Sequence, residues 1–335
     1  LTLQCIQGAL SQLAVTPVSR LRGRRLEADD FNKLMIGDTP RDLLRWLSDP
    51  ENTRRQWDAD TWTAFRTICR QDYHFDPESD GELAGGEKLG QRKDAWLGVW
   101  ERFAESPALY PGIPDLLRRA KPKGVLVLDQ EAWPDENDRM EAHLRKALLE
   151  TGAMKPADTR KRIEGLEAEH GQRRSWVWSR LGLCPLAHAL THLSTMAKRT
   201  ATAIGGDAVE AMAKLYIENG HLADDAALRA VASVKSTDDV AAVCAAVRCL
   251  YLPWLDDSAR RFQECVAAKA LPAVSEQGIN LIGAGECVLF VDGLRFDVGQ
   301  RLASLASSQK LDVTVGWRWA ARCCLNSLGD FIFNA

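Results

Sequence analysis

The feature that most constrains the fold is an apolar run at residues 288–291 that ends abruptly at an acidic residue. Valine, leucine and phenylalanine fill this run, which is typical of a strand buried on both faces of a parallel sheet. Asp292 follows directly, and Gly293 lacks the Cβ that would keep a ligand away from the backbone. Because open α/β sheets bind ligands beyond the carboxyl ends of their strands, Asp292 is a candidate metal or phosphate site. The alternative is that Asp-Gly simply forms a turn.

The residues after this turn predict a helix. Beyond Phe296 the apolar residues recur at helical spacing, at Val298, Leu302 and Leu305. Arg301 falls on the other face, as in an amphipathic helix. The predicted unit is therefore a strand, an acidic turn and a helix.

The string from residue 288 to residue 298 resembles the opening motif of the PglZ family. PglZ proteins are the phosphatase-like component of BREX phage-defence systems and belong to the alkaline-phosphatase superfamily. The resemblance implies that Asp292 ligates one of two catalytic divalent metals, zinc or manganese. Arg295 and Asp297 match the family's pattern of Asp-Gly-Leu-Arg, an aromatic residue and an acid. With Gly293, they would lie beside the metal site.

Two further segments resemble the same family. Residues 313–320 are similar to the next strand of its type B branch. Residues 175–284, with a Trp-rich opening and Leu-Pro-Trp-Leu near their end, are similar to the segment that precedes the phosphatase-like domain. The resemblance thus covers roughly the second half of the chain.

The rest of the sequence predicts helices. The expected fold is therefore mostly α with a small α/β part, in which helical N-terminal and middle regions precede the first βαβ portion of an alkaline-phosphatase-like domain. The expected segments are a mainly helical region at 1–120, a small strand–helix piece at 121–157, a charged linker or exposed helix at 158–174, a helical domain at 175–284, the start of the PglZ-like domain at 285–321, and an atypical tail at 322–335.

Several local patterns in the first half give specific predictions. Thr39 is a plausible N-cap for a helix whose first residue is Pro40. Trp96, Trp100 and Phe103 form a stripe on one helical face, which we expect to pack in the core.

The acidic, Gly-rich residues 76–90 predict a surface loop. Residues 85–90 superficially suggest a phosphate loop, but they lack the spacing of that motif and a preceding buried strand. Residues 123–129 form a second strand-like run that ends in an acid, Asp129. No glycine follows it, so we expect Asp129 to be structural.

Two pairs of residues could bind a metal or could instead pack in the core. His188 and His192 stand four residues apart on a predicted helix, but no Glu completes a zinc motif and no third ligand is evident. Cys244 and Cys249 stand five apart, which is neither a zinc nor a redox spacing. We therefore expect the histidines to pack and hydrogen-bond, and the cysteines to be buried as small hydrophobes.

Composition limits location and partners. The chain has 335 residues, a net charge of −3 and nine scattered Cys, and it shows no signal-like start, so we expect a cytoplasmic protein with reduced thiols. The longest charge-free window, residues 181–197, is too polar to cross a membrane. Leu1 in place of Met suggests a fragment or an unusual start annotation.

A two-metal phosphoryl-transfer site needs several carboxylate and imidazole ligands and a hydroxyl nucleophile. The resemblance places the nucleophile beyond the second strand, but the last Thr is Thr314, and the last His is His221, upstream of Asp292. Residues 322–335 depart from the family pattern, as a frameshift or insertion would cause, and Ser327 is a poor substitute nucleophile. We therefore expect a truncated, catalytically inactive protein that binds no metal stably.

The leading expectation is a truncated PglZ-like protein whose partners are other BREX components. One alternative is a helical scaffold or adaptor in which Asp292 is only a turn residue. Another is a nucleic-acid-binding module that uses Arg clusters such as Arg20, Arg22, Arg24 and Arg25. No aromatic residues interleave with that cluster, and the net charge is negative, so we expect weak DNA binding or none.

Overall fold

The computed structural model describes residues 2–23, 25–122, 130–269 and 294–309, and these segments are predominantly helical. The α-helices are α1 (Thr2–Gly8), α2 (Leu10–Val15), α3 (Ala28–Met35), α4 (Thr39–Ser48), α5 (Pro50–Gln56), α6 (Ala59–Tyr73), α7 (Gly81–Gln91), α8 (Ala95–Glu105), α9 (Ile113–Ala120), α10 (Pro134–Glu150), α11 (Pro156–His170), α12 (Val177–Arg180), α13 (Pro185–Arg199), α14 (Val209–Leu215), α15 (His221–Ala232), α16 (Thr237–Ala268) and α17 (Phe296–Ser308). A π-helical turn, Tyr216–Gly220, joins α14 to α15.

The prediction of a mostly helical chain is confirmed, whereas the predicted α/β part is not shown. The described residues contain no strand. The strands predicted at 123–129, 288–291 and 313–320 lie outside those residues, as does the tail at 322–335. The helix predicted after the acidic turn is present as α17, and it begins at Phe296 as expected.

The chain divides into two compact units. The first comprises Leu1–Glu141 and Gln172–Cys184, and the second comprises Ala142–Gly171 and Pro185–Ala335. The chain thus leaves the first unit, enters the second, returns to the first for thirteen residues and leaves again. None of the helices in the described ranges is long and apolar enough to cross a membrane.

Aromatic side chains dominate the core of the first unit. Trp96, Trp100 and Phe103 on α8 are all buried there, which confirms the predicted stripe. The Trp100 and Phe103 ring centroids are 5.5 Å apart, edge to face, and Trp178 on α12 lies 6.3 Å from each. Edge-to-face pairs contribute about 0.5–1.5 kcal/mol beyond the area they bury. These rings fix α8 and α12 against one another.

A buried ion pair joins the two chain segments of the first unit. Arg173 is fully buried, and its Nη2 donates to Glu141 Oε1 at 2.7 Å. Its Nη1 donates to Asn137 Oδ1 at 3.1 Å, and the Asn137 amide donates to the Leu183 carbonyl at 2.7 Å. The segment that returns after residue 171 is therefore held to α10 by charge-assisted hydrogen bonds.

Helix α4 begins at Thr39, one residue earlier than predicted. Asp38 is the N-cap, and its carboxylate accepts a hydrogen bond from the Arg41 backbone N–H at 3.1 Å. Thr39 and Pro40 are the first two helical residues, so the proposed Thr39 cap is wrong. The carboxylate also accepts a 2.8 Å hydrogen bond from the Arg102 guanidinium. A neutral Thr39 hydroxyl would not form this charge-assisted bond.

The surface loop predicted at residues 76–90 is also wrong, because residues 81–91 form helix α7. Three of its four glycines, Gly85, Gly86 and Gly90, are buried. A Cβ at Gly86 would lie 2.8 Å from Leu116, and one at Gly90 would lie 2.5 Å from the Trp133 ring. Glycine lets α7 pack closely on these side chains, and this gain in packing outweighs its low helix propensity.

The second unit has an aliphatic core. Leu144 and Leu148 on α10 pack with Ile163 and Leu166 on α11, and with side chains of α13, α15 and α16. Helix α11 covers most of the segment predicted as a charged linker or exposed helix, and it buries one face. Periodic leucines and alanines therefore position both α10 and α11 in this unit.

Two helical glycines provide a matched test of this packing. We expect Gly90→Ala to lower the free energy of unfolding of the first unit by about 1–3 kcal/mol, because the new methyl overlaps the buried Trp133 ring. Gly98, inside α8, has no described atom within 4 Å of an ideal Cβ. Gly98→Ala should therefore raise that free energy by about 0.5–1 kcal/mol. Urea unfolding followed by tryptophan fluorescence measures both, and destabilisation by Gly98→Ala or none by Gly90→Ala would contradict the packing described.

Candidate functional site

Half of the site predicted around the acidic turn belongs to the described residues. Asp292 and Gly293 lie outside them. Arg295 is the N-cap residue of α17, and Asp297 lies in its first turn. An acidic side chain in that position interacts favourably with the positive end of the helix dipole.

Arg295 and Asp297 belong to a polar cluster of five residues, which we call the α17 anchor. Arg295 Nε donates to Asp297 Oδ1 at 3.0 Å, and Arg295 Nη2 lies 3.6 Å from Asp224 Oδ2. Asp224, on α15, accepts hydrogen bonds of 2.7 Å from the hydroxyls of Tyr216 and Tyr251. The anchor therefore ties the start of α17 to α15, α16 and the π-helical turn.

Burial controls the protonation of the α17 anchor. Asp224 and Asp297 are 7% and 1% exposed, although one guanidinium, that of Arg295, faces both carboxylates. Burial raises the pKa of Asp224 above its ordinary value, and the two tyrosine hydroxyls and Arg295 oppose this shift. Burial likewise raises the pKa of Tyr216 and Tyr251, and the negative charge of Asp224 adds to the effect. Both tyrosines therefore stay protonated and act as donors.

Aromatic contact completes the anchoring of α17. Phe296 is buried, and its ring meets His221 edge to face, with centroids 5.3 Å apart. The Tyr216 ring lies 5.9 Å from it. On the next turn, Arg301 Nη1 lies 3.4 Å from Asp225 on α15. Arg295 and Phe296 of the motif thus contact other helices of the second unit, and Asp297 is buried beside Arg295.

The resemblance implies a divalent metal, and the described residues fit one only in part. The Oδ2 atom of Asp297 is buried and has no hydrogen-bond partner among the described residues, as a carboxylate reserved for a cation would. Zinc takes four ligands, however, and Arg295 is a cation that competes for the same carboxylate. Arg295 and Asp297 therefore position α17, and the metal would depend mainly on Asp292.

A second group of possible ligands was not predicted from the sequence. His143 on α10 and His170 at the end of α11 bring Nδ1 and Nε2 within 3.3 Å of one another. Glu169 Oε1 lies 3.6 Å from the first nitrogen and 3.5 Å from the second. Among the described residues, this is the set of three or more side chains spaced to hold a metal, and it does not include His188 or His192.

The cysteines are placed for packing rather than reactivity. Cys244 and Cys249 are half-buried rather than fully buried as predicted, and Cys249 Sγ donates to the Met154 carbonyl at 3.3 Å. Burial raises the pKa of Cys184 to about 11, so its thiol is protonated at neutral pH. Neither observation indicates a nucleophile.

In comparisons with protein-family models, with curated proteins and with solved structures, nothing matches this chain. The family suggested by the motif thus has no support from a relative. Function is therefore inferred from the residues themselves.

The partly buried tyrosines of the α17 anchor make the stability of the fold decrease at alkaline pH. Their pKa values are raised above 10 in the folded state, so their contribution is fully present below pH 10 and is lost as the pH rises further. Tyr251→Phe should lower the free energy of unfolding at neutral pH by about 1–3 kcal/mol, because Asp224 loses a donor. Its stability should then fall less steeply with pH, since one fewer proton is released.

Denaturation between about pH 8 and about pH 12, with tyrosinate absorbance recorded in parallel, measures both effects. Burial also raises the pKa of Tyr110 in the first unit, so Tyr110→Phe measures how much of the pH dependence comes from that unit. Ionisation of Tyr216 and Tyr251 near pH 10 in the folded chain would show that their hydroxyls are not held as described.

Proposed function

We propose that this chain is a PglZ-like component of a bacterial BREX phage-defence system and acts in the cytoplasm through binding rather than hydrolysis. Its partners are other BREX components. The motif at residues 288–298 suggests the family, and the anchoring of Arg295, Phe296 and Asp297 is the observation that carries the proposal. If the match to the motif were a chance one, it would not explain why these three consecutive residues are all packed or bonded at the start of α17.

The order of elements around α17 supports the same proposal. The helix begins at Phe296, immediately after the proposed strand and acidic turn. Leu302 and Leu305 are exposed, and by helical periodicity they face away from Phe296, which is buried. A parallel sheet is covered by its crossover helices, so these leucines are suited to pack on the strands proposed at 288–291 and 313–320. In this proposal residues 285–321 are the first βαβ unit of an alkaline-phosphatase-like domain.

The chemistry of the α17 anchor favours binding over catalysis. Asp297 faces a guanidinium, and Arg295 is shared between two carboxylates. Asp292, with Asp297 beside it, would hold a zinc or manganese ion weakly. A metal of this kind, when bound, polarises a phosphoryl oxygen. Arg295 and Asp297 act by fixing the start of α17.

A helical scaffold unrelated to PglZ is the second candidate. Its support is that, within the described residues, each unit has its own hydrophobic core formed by helices and their connecting turns, without a strand. In this case Asp292 is only a turn residue. The two candidates share an absence of catalysis but differ in their partners.

Reconstitution with purified BREX proteins of the same gene cluster tests the proposal. Size-exclusion chromatography should show that the full chain and its Asp292→Ala variant form the same complex with at least one of these proteins. With Mn²⁺ present, neither should hydrolyse p-nitrophenyl phosphate above background. Manganese is used because it prefers carboxylate oxygen over imidazole, so that the histidine cluster contributes little.

Two results would contradict the proposal. Failure to bind any of the BREX proteins would favour the unrelated scaffold. Hydrolysis that disappears in Asp292→Ala would show a working enzyme instead of a binding component. DNA binding that weakens steeply with added salt would point to the nucleic-acid alternative, which the net charge of −3 does not favour.

A further inference from the structure

The side chains of His143, Glu169 and His170, which we call the histidine triangle, have the spacing of metal ligands. The three atoms His143 Nδ1, His170 Nε2 and Glu169 Oε1 are separated by 3.3, 3.5 and 3.6 Å. The centre of a triangle with edges of about 3.5 Å lies about 2.0 Å from each corner, so an ion slightly out of the plane is about 2.1 Å from all three atoms, which is the length of Zn–N and Zn–O bonds. The ligand atoms therefore already surround a cation-sized position.

The same spacing selects a coordination geometry. In a tetrahedron with bonds of about 2.1 Å, neighbouring ligands are about 3.4 Å apart, whereas in an octahedron they are about 3.0 Å apart. The observed separations match the tetrahedron. Zinc is the divalent ion that takes tetrahedral sites built from imidazole and carboxylate, whereas magnesium and calcium prefer six or more oxygens.

A hydrogen-bonded cluster accounts less well for this arrangement. One proton between the two imidazoles explains the 3.3 Å approach of His143 and His170. It does not explain Glu169 Oε1, which lies at nearly equal distances from both nitrogens and too far for a good hydrogen bond to either. A shared cation between the three atoms explains all three separations at once.

The helices that carry the histidine triangle are fixed by packing. Leu144, directly after His143, is fully buried in the aliphatic core. Leu166 is also fully buried there, and His170 follows it by four residues, on the same face of α11. The backbone positions of the ligands, and the buried His170 side chain, are therefore fixed before a metal arrives, which reduces the entropic cost of binding.

Burial and the helix dipole also favour a cation. The His170 side chain is fully buried, whereas His143 and Glu169 are about half exposed, so the site is open to solvent on one side. His170 is the last residue of α11, where the negative end of the helix dipole stabilises positive charge. A water molecule or another small ligand can take the fourth position on the open side.

We propose that His143, Glu169 and His170 bind one zinc ion with an open fourth coordination position. Two histidines, one glutamate and a water form a donor set used by catalytic zinc sites, in contrast to closed structural sites with four protein ligands. The site belongs to the second unit and is separate in sequence from the motif around Asp292. It stands whether or not the chain is PglZ-like.

Zinc titration of the full chain, stripped of metal with a chelator, tests the site. Calorimetry should show one zinc ion bound per chain at the triangle, and zinc should raise the melting temperature. Cobalt in place of zinc should give the visible absorption of a tetrahedral site with nitrogen and oxygen ligands, without a sulfur-to-cobalt charge-transfer band.

Two variants remove ligands without opening the core. His143→Ala and Glu169→Gln alter half-exposed side chains, so both should fold as the unaltered chain does, as circular dichroism would show. Each should weaken zinc binding by more than the roughly 10- to 100-fold caused by losing a residue that only supports a ligand. His188→Ala, which removes an exposed histidine of α13, is the matched control and should bind zinc unchanged.

The proposal is overturned if the unaltered chain binds no zinc, or if both ligand variants bind it as tightly as the unaltered chain. Loss of binding in His188→Ala would place the ion on the α13 histidines instead. A cobalt spectrum with a sulfur charge-transfer band would assign the ion to cysteines. Unlike the hydrolysis assay with Mn²⁺, none of these results depends on Asp292.

Discussion

The first unit depends on satisfying one buried positive charge. Arg173 is fully enclosed, and Glu141 and Asn137 provide its partners from α10. A buried arginine without its carboxylate costs about 3–5 kcal/mol, so this contact must form before the unit is stable. Trp178, five residues further on, completes the aromatic core, and its indole N–H donates to the Glu131 carbonyl at 2.9 Å. Charge pairing and core closure are therefore accomplished by the same returning segment.

The helical class and several buried faces could be predicted from the sequence because they depend on local periodicity. The stripe at Trp96, Trp100 and Phe103 and the start of α17 at Phe296 follow from residues three or four positions apart. The glycines of α7 misled the prediction because their partners, such as Trp133, lie far away in sequence. Glycine indicates a loop by its local propensity, but close packing reversed that preference here.

The two candidate sites were accessible to sequence analysis to different degrees. Asp292 was proposed from a contiguous motif, and Arg295 and Asp297 came with it. The part played by Asp224 could not be foreseen, since it lies some seventy residues earlier and acquires its importance only through burial. His143 and His170 share no spacing signal, because they lie on different helices and meet only when both helices pack in the aliphatic core.

The return of the chain to the first unit after residue 171 also limits how the protein can be dissected. A fragment that ends at residue 184 keeps the whole first unit but also carries α11, with Ile163 and Leu166 separated from most of their aliphatic neighbours. A fragment that begins at residue 185 lacks those two side chains from its core. No single cleavage of the backbone therefore yields two intact halves, and the gene would have to be rearranged, with residues 142–171 moved or bridged, to express either unit alone.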